Sequence, residues 1–243
     1  MPYQIDLEAL DTDGAVREAH AAAIDGLEAG DTRLSFMKKM GLGTASVVGG
    51  GALLATLAPT AFAASGRPPS SFGKGDVGIA NYALTLEYLE AEFYKQAAAN
   101  ITFTNPALKG FASTVAGHEA AHVKAIKGLL KTAAVKSPSF NFGKATTDEA
   151  TFAATAKVLE NTGVGAYFGQ GFNIKSAIIL KFAISVLTVE ARHAGAIGIL
   201  LDPTGGGVSP HGAFDVPLKA STVLNAVTGT GFIVKSGGTK YTG

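Results

Sequence analysis

The sequence predicts an all-α protein: a four-helix bundle whose second and third helices are joined by one long crossover. Three observations carry this expectation. Two Glu-x-x-His pairs, Glu119/His122 and Glu190/His193, lie in long helix-forming stretches. A further glutamate, Glu87 or Glu160, stands in the stretch ahead of each pair. Two tight connections flank one long one. Residues three apart share a helix face, so each pair offers a carboxylate and an imidazole to the same neighbour. Two such pairs, joined by one Glu from each of two other helices, make the ligand shell of a carboxylate-bridged two-metal centre in a bundle core.

The elements follow in order. The first helix is expected over about 76–99. The second opens at Asn105-Pro106, an N-cap followed by proline at the first helical position, and runs to about Lys131. Residues 132–145 contain Pro138 and Gly143 and no helical pattern. About 14 residues at ~3.3 Å each reach ~45 Å, enough to run the length of a bundle. The third helix is expected to start at a capping box, Thr146-x-x-Glu149, and to end near Tyr167. The fourth covers about Asn173–Leu201 and stops before Pro203. Its apolar run Ala177–Leu187 is interrupted by Lys181 and leads into a ligand pair, so it reads as a buried bundle helix rather than a membrane span. The Gly- and Pro-rich tail adds one short helix near Leu218–Val227.

Spacing supports the metal reading. Glu87 and Glu119 are 32 residues apart, and Glu160 and Glu190 are 30 apart. In two antiparallel hairpins, near-equal spacing brings the ligands of both halves to one level. Carboxylates and imidazoles suit Fe or Mn, and bridging glutamates hold two such ions close enough to share a substrate oxygen. Burying four carboxylates without cations would be very costly. The candidate ligands are therefore Glu87, Glu119, His122, Glu160, Glu190 and His193, and the candidate cofactor is two iron ions, or manganese.

Two rivals compete with parts of this set. On the first helix, at about 100° per residue, Ala83, Leu86, Glu90 and Ala97 centre the apolar face, with Tyr88, Glu92, Lys95 and Gln96 opposite. Glu87 lies at the edge of that face and Glu90 near its centre, so Glu90 is the alternative to Glu87. His118-Glu119-Ala120-Ala121-His122 is also H-E-x-x-H, the zinc metalloprotease helix with Glu119 as general base. That reading needs a third ligand downstream and leaves Glu87, Glu160 and the second pair unexplained. In the bundle reading His118 either supports the ligand shell or faces solvent. His20 and His211 read as solvated.

Composition bounds the rest. Of 243 residues, 47% are hydrophobic and 16% charged, which suits a globular domain with an apolar leader. No cysteine is present, which excludes disulfides, Cys-based zinc sites, haem attachment and iron–sulfur clusters. Scattered lysines (Lys95, Lys109, Lys124, Lys127, Lys131, Lys136) read as a solvated face, against nucleic-acid binding. Residues 1–32 form an acidic extension. Residues 33–63 read as an export signal: basic Arg33, Lys38 and Lys39, an apolar stretch Met40–Leu57, then Ala61-Phe62-Ala63 as cleavage site. Thr32–Lys38 resembles a twin-arginine motif with Leu34 where the second arginine belongs. The alternative is an uncleaved membrane anchor, since the apolar run is near spanning length. The bundle and its tail occupy 64–243.

Leu84–Tyr94, His118–His122, Leu159–Tyr167 and Val189–His193 together resemble the exported ferritin-like domain family, which includes plant desiccation-related proteins. The resemblance covers roughly 75–230. It implies a ferritin-like bundle, places the same six ligands, and leaves the activity open. Glu87 is seven residues before Tyr94, a spacing that recurs in ferritin-type sites, which favours Glu87 over Glu90. Tyr94 is the candidate catalytic neighbour, by hydrogen bond or one-electron chemistry; the alternative is a core tyrosine with its hydroxyl satisfied. The expected function is oxidation of Fe(II) or removal of peroxide outside the cytoplasm, with metal ions and O2 or peroxide as partners, and the chain as a homo-oligomer candidate. The alternative is a non-catalytic, stress-protective or surface-interaction protein with a structural metal site.

Overall fold

Four long helices dominate residues 66–235, the part of the chain that the computed structural model describes: α1 (Gly75–Asn100), α2 (Pro106–Leu130), α3 (Glu149–Gly171) and α4 (Ala177–Leu201). A short α5 (Ala220–Gly229) follows. The acidic extension and the export signal lie outside the described residues.

The helices pack as two hairpins, α1 with α2 and α3 with α4, and the hairpins meet through α1 against α3 and α2 against α4. The 131–148 crossover between them carries the chain from one hairpin to the other. The architecture is the all-α four-helix bundle with one long crossover that the sequence predicts.

Helix starts follow local chemistry. The Asn105 side chain accepts from the backbone N–H of Ala107 and Leu108 at the mouth of α2, with Pro106 behind it. The start of α3 corrects the capping-box expectation. Thr146 belongs to a preceding 3-10 turn (Gly143–Thr146), and Asp148 is the N-cap, accepting from Thr151 N at 2.8 Å. Glu149 turns away instead and accepts from the backbone N–H of Thr104 and Asn105, tying α3 to the α1–α2 connection. Helix α4 begins later than expected, at Ala177. The Asp76 carboxylate holds the backbone N–H groups of Lys175 and Ser176 in the preceding turn, and Ser176 caps the helix.

Helix α1 is buried on most of its circumference, with Ile79, Tyr82, Leu84, Leu86, Leu89 and Phe93 all in the interior. Around Phe93 the core is aromatic. Its ring stacks on Phe152 at 5.4 Å and meets Phe142 and Tyr94 edge-on, while Phe103 and Tyr94 also pack on Phe152. The crossover is stapled by buried Asn81, which donates to Phe72 O and Ala133 O and accepts from Val135 N. Two short strands, β1 (Ser139–Phe140) and β2 (Ile233–Lys235), pair antiparallel, so the tail locks onto the crossover. The tail also packs on α3 beside Gly169, where a Cβ would lie 2.0 Å from Leu218 O. By length and composition α4 is apolar enough to cross a membrane, yet its inner face packs in the bundle and bears Glu190 and His193.

Candidate metal centre

Each of the four helices delivers at least one carboxylate to the middle of the bundle. Glu87 comes from α1, Glu119 and His122 from α2, Glu160 from α3, and Glu190 and His193 from α4. The four glutamates are fully buried (0% exposed) and His193 is buried. His122 Nδ1 lies 3.1 Å from Glu87 Oε2, 3.1 Å from Glu119 Oε2 and 3.4 Å from Glu190 Oε1. His193 Nδ1 lies 3.3 Å from Glu119 Oε1 and 3.2 Å from Glu160 Oε2. Two groups result, each with one donor atom per residue and all donors within 4.8 Å of one another: Glu87, Glu119, His122 and Glu190, and Glu119, Glu160 and His193. Glu119 belongs to both and turns one oxygen toward each imidazole.

The donors fit a metal ion. Glu119 Oε1, Glu160 Oε2, both Glu190 oxygens and His193 Nδ1 are buried without a hydrogen-bond partner. Buried polar atoms are nearly always satisfied, so five orphans around one cluster point to a missing cationic partner. The set is oxygen and nitrogen only, which suits a hard or borderline cation rather than a thiolate-seeking metal.

The outer atoms of these groups are held. Tyr94 OH donates to Glu160 Oε1, and Tyr167 OH donates to Glu87 Oε1. The bonds cross between the hairpins: a tyrosine of α1 holds the carboxylate of α3, and a tyrosine of α3 holds that of α1. In both cases one carboxylate oxygen remains turned toward an imidazole. Tyr167 was not among the sequence candidates. The signal was present, because Glu160 and Tyr167 repeat the seven-residue spacing of Glu87 and Tyr94. Burial, then the neighbouring carboxylate, raises both phenols well above their ordinary range, so both remain donors.

His118 Nδ1 lies 2.8 Å from His193 Nε2. The ring centroids are 5.1 Å apart with planes 12° from parallel. A nitrogen contact this short at that separation means that the rings lie end to end in nearly one plane, the geometry of an N–H···N bond, rather than face to face. The H-E-x-x-H reading needs His118 and His122 on one ion; here they face different partners, and His118 lies in neither donor group.

Glu90 is buried as well but joins neither group. It lies beside Glu190 where α3 has Gly163. A Cβ there would stand 2.8 Å from Glu190 Oε2 and 3.6 Å from Glu90 Oε1, so the glycine leaves room for both carboxylates. Among the described residues the bundle interior thus holds five glutamates, one more than expected.

Without a cation these charges conflict. Burial, then the Glu119 charge, pushes the Glu87 carboxyl up to about 8. Burial, then Glu90 and Glu119, raises Glu190 well above the carboxylate range. Burial acts to raise Glu119 too, but the imidazoles of His122 and His193 beside it hold it at about 2. Burial would lower the two imidazoles, yet the carboxylates beside them raise His122 to about 10 and His193 to about 9. In the metal-free protein the two imidazoles act as the local cations.

A four-helix bundle with a buried carboxylate and histidine cluster that can hold a metal is the class that fold and site define. The model of the ferritin-like domain family matches residues 75–203, from the start of α1 past the end of α4, and the chain belongs to that family. No curated protein matches the chain.

Proposed function

We propose that this chain is an exported protein whose bundle binds two iron ions, or manganese, in a carboxylate-bridged centre that reacts with O2 or peroxide. One observation carries the reading: buried donors from four helices, five of their atoms orphaned, converge in two groups that share Glu119. When bound, the metal pair supplies electrons to the oxidant. The residues around it prepare the site. Tyr94 and Tyr167 orient Glu160 and Glu87 and leave the other oxygen of each turned toward the imidazoles. With its Nδ1 on a bound metal, His193 would be neutral and carry its proton on Nε2, donating it to His118, which orients the ring. The apolar core around the cluster keeps bulk water out. Tyr94 and Tyr167 are also close enough to act as one-electron neighbours.

Anaerobic loading with Fe(II) followed by air tests this directly. Two irons per chain and a new near-ultraviolet charge-transfer band are expected; no uptake and no band would sink the proposal. A second reading rests on the five buried glutamates, which a bound metal would stabilise even if it did no chemistry. Loaded protein that shows no turnover with either oxidant, and ligand variants that lose only stability, would favour that bracing role. Export rests on the 33–63 leader. N-terminal sequencing of protein recovered from its native compartment is expected to start near Ala64.

A further inference from the structure

Next to the metal cluster, toward the N-terminal end of α1, the bundle contains a cavity of about 30 Å³. All four helices line it, through Ala83 and Leu86 of α1, Ile126 of α2, Tyr167 of α3, and Phe182 and Ala183 of α4. Tyr167 is therefore shared: its ring walls the cavity while its hydroxyl donates to Glu87. Leu129, exposed to solvent, also borders the cavity.

The lining is almost wholly apolar. Its polar side chains are Tyr82, Tyr167 and Gln170. Tyr167 is engaged by Glu87. Gln170 donates to Gly66 O and accepts from Asn173, so both ends of its amide are used. Only the Tyr82 hydroxyl is left, buried and without a partner. A buried water needs two to four polar partners, and apolar cavities that cannot supply them stay dry and take up apolar guests. The cavity thus has room for a molecule not much larger than water, but not the polar groups that water or hydrogen peroxide requires.

We infer that this cavity is a binding site for small apolar molecules, and that its guest is dioxygen, held one tyrosine ring away from the carboxylate cluster. The choice of dioxygen rests on the proposed metal chemistry. The existence of an apolar guest site does not.

Xenon, an apolar atom of suitable size, separates the two. Crystals of the full chain pressurised with xenon are expected to show an atom between Ala83, Leu86 and Tyr167. Ala83→Leu and Ala183→Leu, each filling the space from a different helix, are expected to exclude it, with circular dichroism confirming the fold. A wild-type cavity without xenon would overturn the inference whether or not iron binds. In iron-loaded protein, either variant is expected to raise the KM for dioxygen severalfold while leaving kcat and the peroxide-driven rate unchanged. An unchanged KM for dioxygen, or an equal loss with both oxidants, would overturn the dioxygen assignment. Failure of iron to react with any oxidant would sink the metal reading, and the xenon result would still decide the cavity.

Discussion

The two ends of the bundle are built alike and packed differently. Each end has a tyrosine seven residues beyond a buried glutamate, and each tyrosine donates to the glutamate of the opposite hairpin. Tyr94 is packed against Phe93, Phe111 and Phe152, in a cluster that Phe103 and Phe142 extend. Tyr167 borders a cavity lined mostly by aliphatic side chains that reaches exposed Leu129. The same polar contact is thus held by dense aromatic packing at one end and beside free space at the other. A repeated ligand pattern does not impose a repeated environment, because packing is decided by what the connecting segments bring. The crossover contributes Phe142 to the Tyr94 end, and residues 172–176 turn into α4 at the other.

The comparison can be broken at its shared point first. Glu119 serves both donor groups, so Glu119→Ala is expected to abolish metal uptake at both, whereas Glu87→Ala and Glu160→Ala each impair one. Metal content after equilibrium dialysis distinguishes these outcomes, and an independent loss at Glu119 of only one metal would contradict the shared geometry. Next comes packing. Phe152→Ala at the aromatic end is expected to cost about 3–5 kcal/mol, the usual range for a fully buried aromatic. Phe182→Ala, at a partly exposed position beside the cavity, is expected to cost clearly less by urea denaturation. Equal losses would mean that the two ends are equally packed.

The hydroxyls give a smaller effect. Tyr94→Phe and Tyr167→Phe each leave a buried carboxylate oxygen without its donor, at roughly 1–3 kcal/mol. Tyr94→Phe leaves the aromatic packing in place, so the two variants should match closely; a large difference would show that the ends differ in polarity as well as in packing.

Protons test the cluster that joins the ends. The Glu87 carboxyl is raised to about 8 in the folded, metal-free protein. Its folded state therefore favours the protonated form, and stability falls as pH rises from the ordinary carboxyl range to about 8. His122 and His193, raised to about 10 and about 9, stabilise fully below the ordinary histidine range and lose that contribution toward those values. Both act in one direction, so the Tm of metal-free protein is expected to drop between pH 5 and 9. Bound metal should flatten the slope; a Tm that climbs with pH in metal-free protein would refute the assignment. The smallest effect belongs to His118→Ala. His118 is exposed, water can replace it, and metal affinity is expected to weaken by about tenfold, the low end for a partner of a metal-bound histidine.

Much of this was legible in the chain. Helices α1 to α4, the long crossover and the six clustered side chains follow from periodicity and from carboxylate and imidazole spacing, which are local quantities. A helical projection does not separate Glu87 from Glu90, since both lie on the buried side of α1, and only the position of α2 and α4 brings Glu87 and not Glu90 into a donor group. The Thr146-x-x-Glu149 box misled because Glu149 found a better-placed pair of backbone donors at Thr104 and Asn105, far away in sequence.

By itself, then, the sequence determined a helical bundle of two similar hairpins and the residues that meet in its middle, because helical period and chain spacing put them there whatever surrounds them. Tertiary structure alone decided how those residues are held and reached. The crossed tyrosine bonds, the end-to-end His118–His193 pair, the room that Gly163 leaves for a fifth glutamate, and the apolar cavity behind Tyr167 all depend on how four helices approach one another. That approach is set by long-range packing between side chains scores of residues apart, which no local pattern records.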